Sequence, residues 1–361
     1  PAGSSWHGDP FRLRRQGARL VARGAADDKG FILAQLEGVR RAVTHAGRDA
    51  PPINVRCLYE GEEEIGSPTM RRLVEKAGDR LVADAAVVCD TEATASGQPT
   101  LTVSCRGEIT VNIEVCGPAR DLHAGRFGGA IHNPAQVLAE LLAALHDPLG
   151  RVGLPGFYRD VRALPGMNAR DDELILAHAG VPTGWGEPGF GLDERITARP
   201  AVVVTRLDSG SRLAGPHHII PARAAAQVNI RLVPDQDPRR IYRSLSDHAR
   251  TFARCGIRVG TALLLAARPW EARTSHPAMT AAAGAIEAVF GVPPVAVRSG
   301  GGIPALAALD DAGVVETAVL AGFGSPADRA HGPGESVDPL RLELAAEMVA
   351  RLLLRYRGSQ Q

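Results

Sequence analysis

The stretch Ile53-Asn54-Val55-Arg56-Cys57-Leu58-Tyr59-Glu60-Gly61-Glu62-Glu63-Glu64-Ile65-Gly66-Ser67-Pro68 sets the reading of the whole chain. Its first seven residues read as a buried strand. A run of carboxylates follows directly, and Ser67-Pro68 then offers a helix N-cap with proline at the first helical position. Carboxylates crowded at the end of a strand repel one another and are costly to desolvate. Water can solvate such a run, which makes it an acidic surface loop. Cations can neutralise it, which makes it a site. The segments on either side bear on the choice.

Upstream, residues 26–46 carry Phe31, Ile32, Leu36, Val39 and Val43 at helical spacing and stop at Gly47, so they read as a helix entered from a glycine-containing turn. Downstream, a helix runs from Ser67-Pro68 to about Leu81, and residues 85–90 are an apolar strand ending in Asp90. Helix, strand, helix, strand implies an α/β fold with a mixed, mostly parallel sheet flanked by helices. The pattern changes near Gly107. Residues 110–116 alternate as a half-exposed antiparallel strand, a helix follows Asn133-Pro134 to about His146, and residues 147–200 look irregular. Residues 201–206 and 224–232 read as strands, and 238–255 as an amphipathic helix. Helix–strand alternation resumes after Pro269, with helices over 277–290, from Ile303 and over 339–356, and strands over 295–298 and 314–320. The expected organisation is one domain of residues 1–106 and 269–361, interrupted by an inserted α+β domain of residues 107–268.

A chain of 361 residues suits two domains. The formal net charge of +1 and the 4% aromatic content give no basic, base-stacking surface, so a nucleic-acid partner is not expected. Only Lys29 and Lys76 are lysines, and the arginines are scattered. No apolar stretch reaches the ~18 residues that span a bilayer, so no membrane partner is expected. Five cysteines without a CxxC pair read as small hydrophobes of a reducing, cytoplasmic compartment. No P-loop motif is present, and no GxSxG elbow.

In a parallel α/β sheet, ligands bind at the carboxyl ends of the strands. Asp27, the Glu63-Glu64 pair and Asp90 fall at such ends or in adjoining turns, and His331 lies in the loop after the strand 314–320. Singly, these residues have ordinary readings as a helix cap, a solvated loop or a surface histidine. Together they form a carboxylate cluster with one imidazole on one rim. Two divalent metals ~3.5–4 Å apart would stabilise such a cluster. Oxygen and imidazole ligands without thiolate fit zinc or manganese, and also cobalt. Adjacent glutamates can divide the labour, one holding metal while the other exchanges protons with a nucleophilic water.

Ordered segments of the chain resemble the co-catalytic metallopeptidases, the family of carnosinase-type dipeptidases, carboxypeptidase G, acetylornithine deacetylase and succinyl-diaminopimelate desuccinylase. Arg23-Gly24-Ala25-Ala26-Asp27-Asp28-Lys29-Gly30 resembles its RGxxDxKG segment, and Glu60 to Ser67 its EGxEExGS segment. Asp121-Leu122-His123-Ala124-Gly125-Arg126-Phe127-Gly128-Gly129 resembles the DLHSGxxGG of the dipeptidase branch. Arg231-Leu232-Val233-Pro234, Arg298-Ser299-Gly300-Gly301-Gly302-Ile303-Pro304 and Ala330-His331-Gly332-Pro333-Gly334-Glu335 resemble RLVP, REGGSIP and AHSxNE, with glycine at 302, 332 and 334 in place of polar residues.

The resemblance implies a zinc-peptidase-like catalytic domain with an inserted lid and dimerisation domain. It implies that Asp27 bridges two metals, that Glu63 is the general base and acid, that Glu64 and His331 complete one metal site, and that Asp90 serves the other. His123 would polarise the scissile carbonyl in the partner subunit of a homodimer. Arg231, Arg298, Gly301, Gly302 and Glu335 would hold a small peptide substrate. Trp6 and Asp9-Pro10-Phe11 resemble the residues that follow the family's HxDVQP phrase, with Pro1 as its proline. This alignment sets the first metal-binding histidine and the opening strands upstream of residue 1. It implies one well-formed metal site in the chain as given, weak activity and exposed apolar sheet surface. The expected function is a dipeptidase. The alternatives are an N-acyl amino acid deacylase of the same family and a metal-deficient dimeric relative.

Overall fold

The computed structural model describes residues 6–94, 96–164, 167, 171–211, 214–356 and 358, so the reading of Pro1 lies outside the described residues. The chain divides into two compact units. One comprises the chain up to Ser104, Glu271–Arg298 and the chain from Ala308; the other comprises Cys105–Trp270 and Ser299–Ala307.

The first unit is an α/β unit built on the strand Val315–Gly324. Ala318, Val319, Leu320 and Ala321 have no exposed surface. An unbroken apolar run is what burial on both faces requires of a strand. It pairs parallel with Ala83–Glu92 and antiparallel with Thr100–Cys105, so the sheet is mixed. Helices Lys29–His45, Pro277–Phe290 and Pro339–Arg355 belong to the same unit, and His276 and Asp338 cap the last two through their side chains. A smaller sheet joins Arg14–Gln16, Arg19–Val21 and Ser336–Val337. It had no counterpart in the sequence reading.

Residues 53–59 depart from expectation. Among the described residues they form no strand, and Asn54, Arg56, Cys57 and Tyr59 are exposed. Strand propensity is realised only against a neighbour that accepts the ladder hydrogen bonds. The helix after the acidic run also starts later than expected, at Met70, and ends at Ala77 before a 3₁₀ turn, Gly78–Leu81. Ser67 does not cap it, because the helix begins at Met70 with Thr69 at the cap position, and the Ser67 hydroxyl donates to Glu60 Oε1 at 2.8 Å.

The second unit carries an antiparallel sheet in the order Arg258–Ala267, Gly107–Cys116, Arg223–Leu232, Ala201–Ser209. Ile109, Val111, Ile113 and Val115 are fully buried and share a core with residues of helices Pro134–Ala143 and Pro238–Arg250. Their alternation with Glu108, Thr110, Asn112 and Glu114 is the period-two pattern of a one-sided sheet. The strand Arg258–Ala267 was not anticipated. The supposedly irregular 147–200 stretch contains helices Asp172–Ala179 and Leu192–Thr197.

Helices Lys29–His45 and Pro339–Arg355 meet at Gly38. A Cβ there would fall 2.6 Å from Val349 Cβ and 2.7 Å from the Ala346 carbonyl oxygen. Alanine favours a helix interior by about 1 kcal/mol over glycine, but overpacking a core costs about 1–3 kcal/mol. The contact is mainly to helix backbone and a β-branched side chain, so overpacking should win. Gly38→Ala should lower the melting temperature, and an unchanged or higher value by calorimetry would refute this account of the contact.

Candidate metal centre

The acidic groups gather within the first unit. Asp27 follows the strand Arg19–Val21 and precedes helix Lys29–His45. Glu63 and Glu64 open a 3₁₀ turn, Glu63–Ile65. Asp90 lies near the carboxyl end of Ala83–Glu92. His331, in a left-handed conformation with φ of 63°, lies in the loop after Val315–Gly324. The two strands are parallel, so their carboxyl ends share a rim.

His331 Nε2 lies 2.7 Å from Asp27 Oδ2 and 3.2 Å from Glu64 Oε2. One ligand atom from each residue lies within 4.8 Å of the others. Ligands at the usual ~2.0–2.2 Å from zinc stand roughly 3.3–3.6 Å apart in a tetrahedron, so the His331–Glu64 spacing is close to that of a divalent site and the His331–Asp27 pair, now at hydrogen-bond distance, would open to admit the ion. Asp90 stands outside the mutual set but close enough that its charge acts on Glu63 and Asp28.

Crowding shows in the proton affinities. Burial raises Glu63 to about 7, with the charges of Asp90, Glu64, Asp27 and Glu60 adding to it. Burial raises Asp90 to about 6, and Asp27 and Glu64 add to it while His331 opposes. Asp28, which the sequence reading passed over, rises to about 8, chiefly through burial and then through Asp90 and Asp27. Its Oδ1 is buried with no hydrogen-bond partner. No local sequence signal marks Asp28 as buried, because it sits beside an acid at a helix start, where carboxylates are usually solvated.

Glu335 is not where a substrate contact would be. It has no exposed surface. Its Oε2 accepts from Arg23 Nη1 at 2.8 Å and Gly24 N at 3.0 Å, and its Oε1 accepts from Ala26 N at 2.9 Å and Asp27 N at 3.1 Å. The carboxylate is engaged by the turn that carries Asp27.

The remaining site residues named from sequence, Arg298 apart, belong to the second unit. His123 is exposed at the start of the short helix Ala124–Phe127, its Nδ1 accepting from Gly125 N at 3.1 Å. Arg231 Nη1 pairs with Glu108 Oε2 at 3.1 Å. The turn containing Gly301 and Gly302 rests on Arg106, which donates to the carbonyls of Gly300 at 3.0 Å, Arg199 at 3.1 Å and Arg195 at 3.3 Å. Burial first, and the like charge of Arg231 second, push Arg106 down to about 9. A Cβ at Gly302 would fall 2.5 Å from the Arg106 carbonyl oxygen, so the turn requires glycine there. Sequence reading missed Arg106, since a lone arginine at a strand end carries no signal. Arg298, in the first unit, is buried in the strand Val295–Ser299.

Residues 1–355 match the family described as Peptidase family M20/M25/M40. The chain belongs to this family. It is 28% identical over 354 residues to the Beta-Ala-His dipeptidase of Homo sapiens, covering 93% of this chain and 68% of that protein. It is 28% identical over 347 residues to the Cys-Gly metallodipeptidase dug1 of Schizosaccharomyces pombe, covering 92% and 72%. An M20 family metallo-carboxypeptidase, Sso-CP2, from Sulfolobus solfataricus superposes with a TM-score of 0.88 at 27% identity, covering 98% of this chain and 81% of that one. Human carnosine dipeptidase 1 superposes with a TM-score of 0.81 at 27% identity, covering 98% and 77%. The Cys-Gly metallodipeptidase and the metallo-carboxypeptidase are metalloenzymes, and among the described residues of this M20 chain the acid–imidazole cluster is suited to a divalent cation.

The raised carboxyls give a pH prediction for the chelator-treated peptidase. Their native proton affinities lie above the unfolded range near 4, so between about pH 4 and 8 the native chain holds more protons than the unfolded one. Stability then falls as pH rises through that window. The melting temperature should be lower at pH 8 than at pH 5, zinc should restore it at pH 8, and Asp28→Asn should flatten the slope. A melting temperature that climbs between pH 5 and 8 without metal would contradict the crowding argument.

Proposed function

We propose that the chain is a metal-dependent dipeptidase that hydrolyses the amide bond of small peptides with two divalent ions, zinc or manganese. The convergence of Asp27, Glu64 and His331, with Glu63 beside them, is the observation that carries this reading. Asp27, Glu64 and His331 would hold one ion, and Asp27 and Asp90 would contribute to the other. Bound metal supplies Lewis acidity toward the peptide carbonyl and acidifies water. Glu63, half-buried beside the ligands and raised in the metal-free chain chiefly by burial, would take a proton from the attacking water and return it to the leaving amine. A general base with an ordinary carboxylate affinity would hold that proton too weakly for the second task.

The free carboxylate of the peptide would fall to Arg231 and the turn of Gly301 and Gly302, with Arg298 supporting the strand that leads into the turn. Arg106 and Arg231 carry two guanidiniums against the one carboxylate of Glu108, a positive balance suited to an anion. His123 would act on the scissile carbonyl across a homodimer. The strand Ala201–Ser209 at the sheet edge leaves Val203, Val204 and Leu207 exposed, and an apolar edge strand of this kind favours association. Five free cysteines fit a reducing, cytoplasmic setting. No helix among the described residues is long and apolar enough to cross a membrane.

Three measurements test the reading. With added zinc or manganese, the chain should release amino acids from dipeptides in preference to N-acyl amino acids. Glu63→Gln should lower kcat by about 10²–10⁴-fold while still taking up metal in a calorimetric titration. Full turnover in that variant would remove Glu63 from its role, and a preference for N-acyl substrates would make the enzyme a deacylase. Sedimentation at micromolar concentration should give twice the chain mass, and a monomer would remove the role proposed for His123.

A further inference from the structure

We infer that Glu335 and Arg23 form a clasp that positions the metal ligands Asp27 and His331, so that Glu335 governs metal affinity instead of touching substrate. The inference rests on the metal-centre reading above and deepens it. Both ligands are carried by irregular backbone. Asp27 lies in the turn after the strand Arg19–Val21, and His331 lies in the loop before the strand Ser336–Val337. Those strands pair, with Ser336 opposite Val21 and Val337 opposite Leu20, so the two ligand loops leave neighbouring points of one small sheet. Sheet pairing alone fixes the roots of the loops and not their tips.

The clasp fixes the tips. The Glu335 carboxylate accepts the backbone N–H groups of Gly24, Ala26 and Asp27 together with the Arg23 guanidinium, at 2.8–3.1 Å. Arg23 turns the other way as well: its Nη2 donates to the carbonyls of His331 at 3.3 Å and Gly332 at 3.2 Å. The Ala22 N–H donates to the Glu335 carbonyl at 3.2 Å. One ion pair, its carboxylate fully buried and its guanidinium partly exposed, therefore binds the Asp27 turn and the His331 loop to each other. Arg19 reinforces the base, donating to Ser336 Oγ at 2.7 Å, to the Ser336 carbonyl at 2.8 Å and to the buried Asp328 carboxylate.

The chemistry demands an ionised carboxylate. Four donors converge on two oxygens, and a carboxylate accepts at all of them without offering a hydrogen. An amide at 335 would aim its NH₂ at two of those donors whichever way it turned, and the Asp27 turn would have to open. Groups that orient metal ligands from behind typically govern metal affinity by 10–100-fold. A substrate contact would instead govern KM.

The test separates these outcomes. Zinc is titrated calorimetrically into the chelator-treated full chain, as wild type, Glu335→Gln and Arg23→Met, and the KM for a dipeptide is measured at saturating zinc. The expected result is a zinc Kd raised about 10–100-fold in Glu335→Gln and by a smaller factor in Arg23→Met, with KM within about twofold of wild type. Should Glu335→Gln fail to fold by circular dichroism, Arg23→Met decides, since Arg23 is the partly exposed member of the pair at 22%. An unchanged zinc Kd with a raised KM would overturn the inference and return Glu335 to the substrate. Wild type taking up no zinc would defeat the metal-centre reading itself, a result distinct from wild type and variants binding zinc equally.

Discussion

Repulsion among carboxylates held away from water is the constraint on which this site depends. Asp27, Asp28, Glu63, Glu64 and Asp90 approach one another on the rim above two parallel strands, and burial together with neighbouring carboxylate charge raises Asp28, Glu63 and Asp90. A fold can present such a cluster only if the backbone carrying it is held by something other than the cluster. The rim strands supply part of that hold, since Ala83–Glu92 and Val315–Gly324 are paired along most of their length and the latter is buried on both faces. The loops need a separate device, and the carboxylate of Glu335 supplies it. An acid that binds four donors from behind fixes in place another acid that would otherwise move away from its neighbours.

The same division between held and holding groups recurs in the second unit. Arg231 has a carboxylate partner in Glu108 and keeps 30% of its side-chain surface exposed. Arg106 is buried, and its hydrogen bonds end on carbonyl oxygens of the 300–302 turn and of residues 195 and 199. Guanidinium held by carbonyl dipoles keeps its charge while fixing the backbone around it. Glycine at 302 lets that backbone approach within contact of Arg106. The polar side chain that the resemblance led us to expect at 302 would need a Cβ for which this packing has no room.

How much of this was legible in the sequence depends on how local each determinant is. Helix Pro277–Phe290 was read to the residue, because histidine, proline and a closing glycine are signals within the segment itself. The strand over residues 53–59 was misread for the complementary reason. Its apolar residues satisfy a strand pattern, but pairing is a property of two segments, and the partner is not written in either one. The triad of Asp27, Glu64 and His331 was found through ordered motifs, and the structure brings its ligand atoms together. Glu335 belonged to one of those motifs, and the resemblance implied a substrate-binding role for it. Only its complete burial, a three-dimensional fact, turns it from a surface acid into an internal one. Asp28 and Arg106 were missed because nothing about their types or spacing announces desolvation.

Placement of the clasp has a further consequence for how the ligand set assembles. The strands Arg19–Val21 and Ser336–Val337 are more than 300 residues apart in sequence, so neither ligand loop can be ordered until the two ends of the first unit meet. Closing a loop that long carries an entropic cost that grows only slowly with length, and the Glu335 carboxylate is removed from water, against Arg23, as the same step completes. Burying one partner without the other would leave an uncompensated charge in the interior, which is strongly unfavourable. The Asp27 turn and the His331 loop therefore share one set of contacts, and the order of each depends on the other.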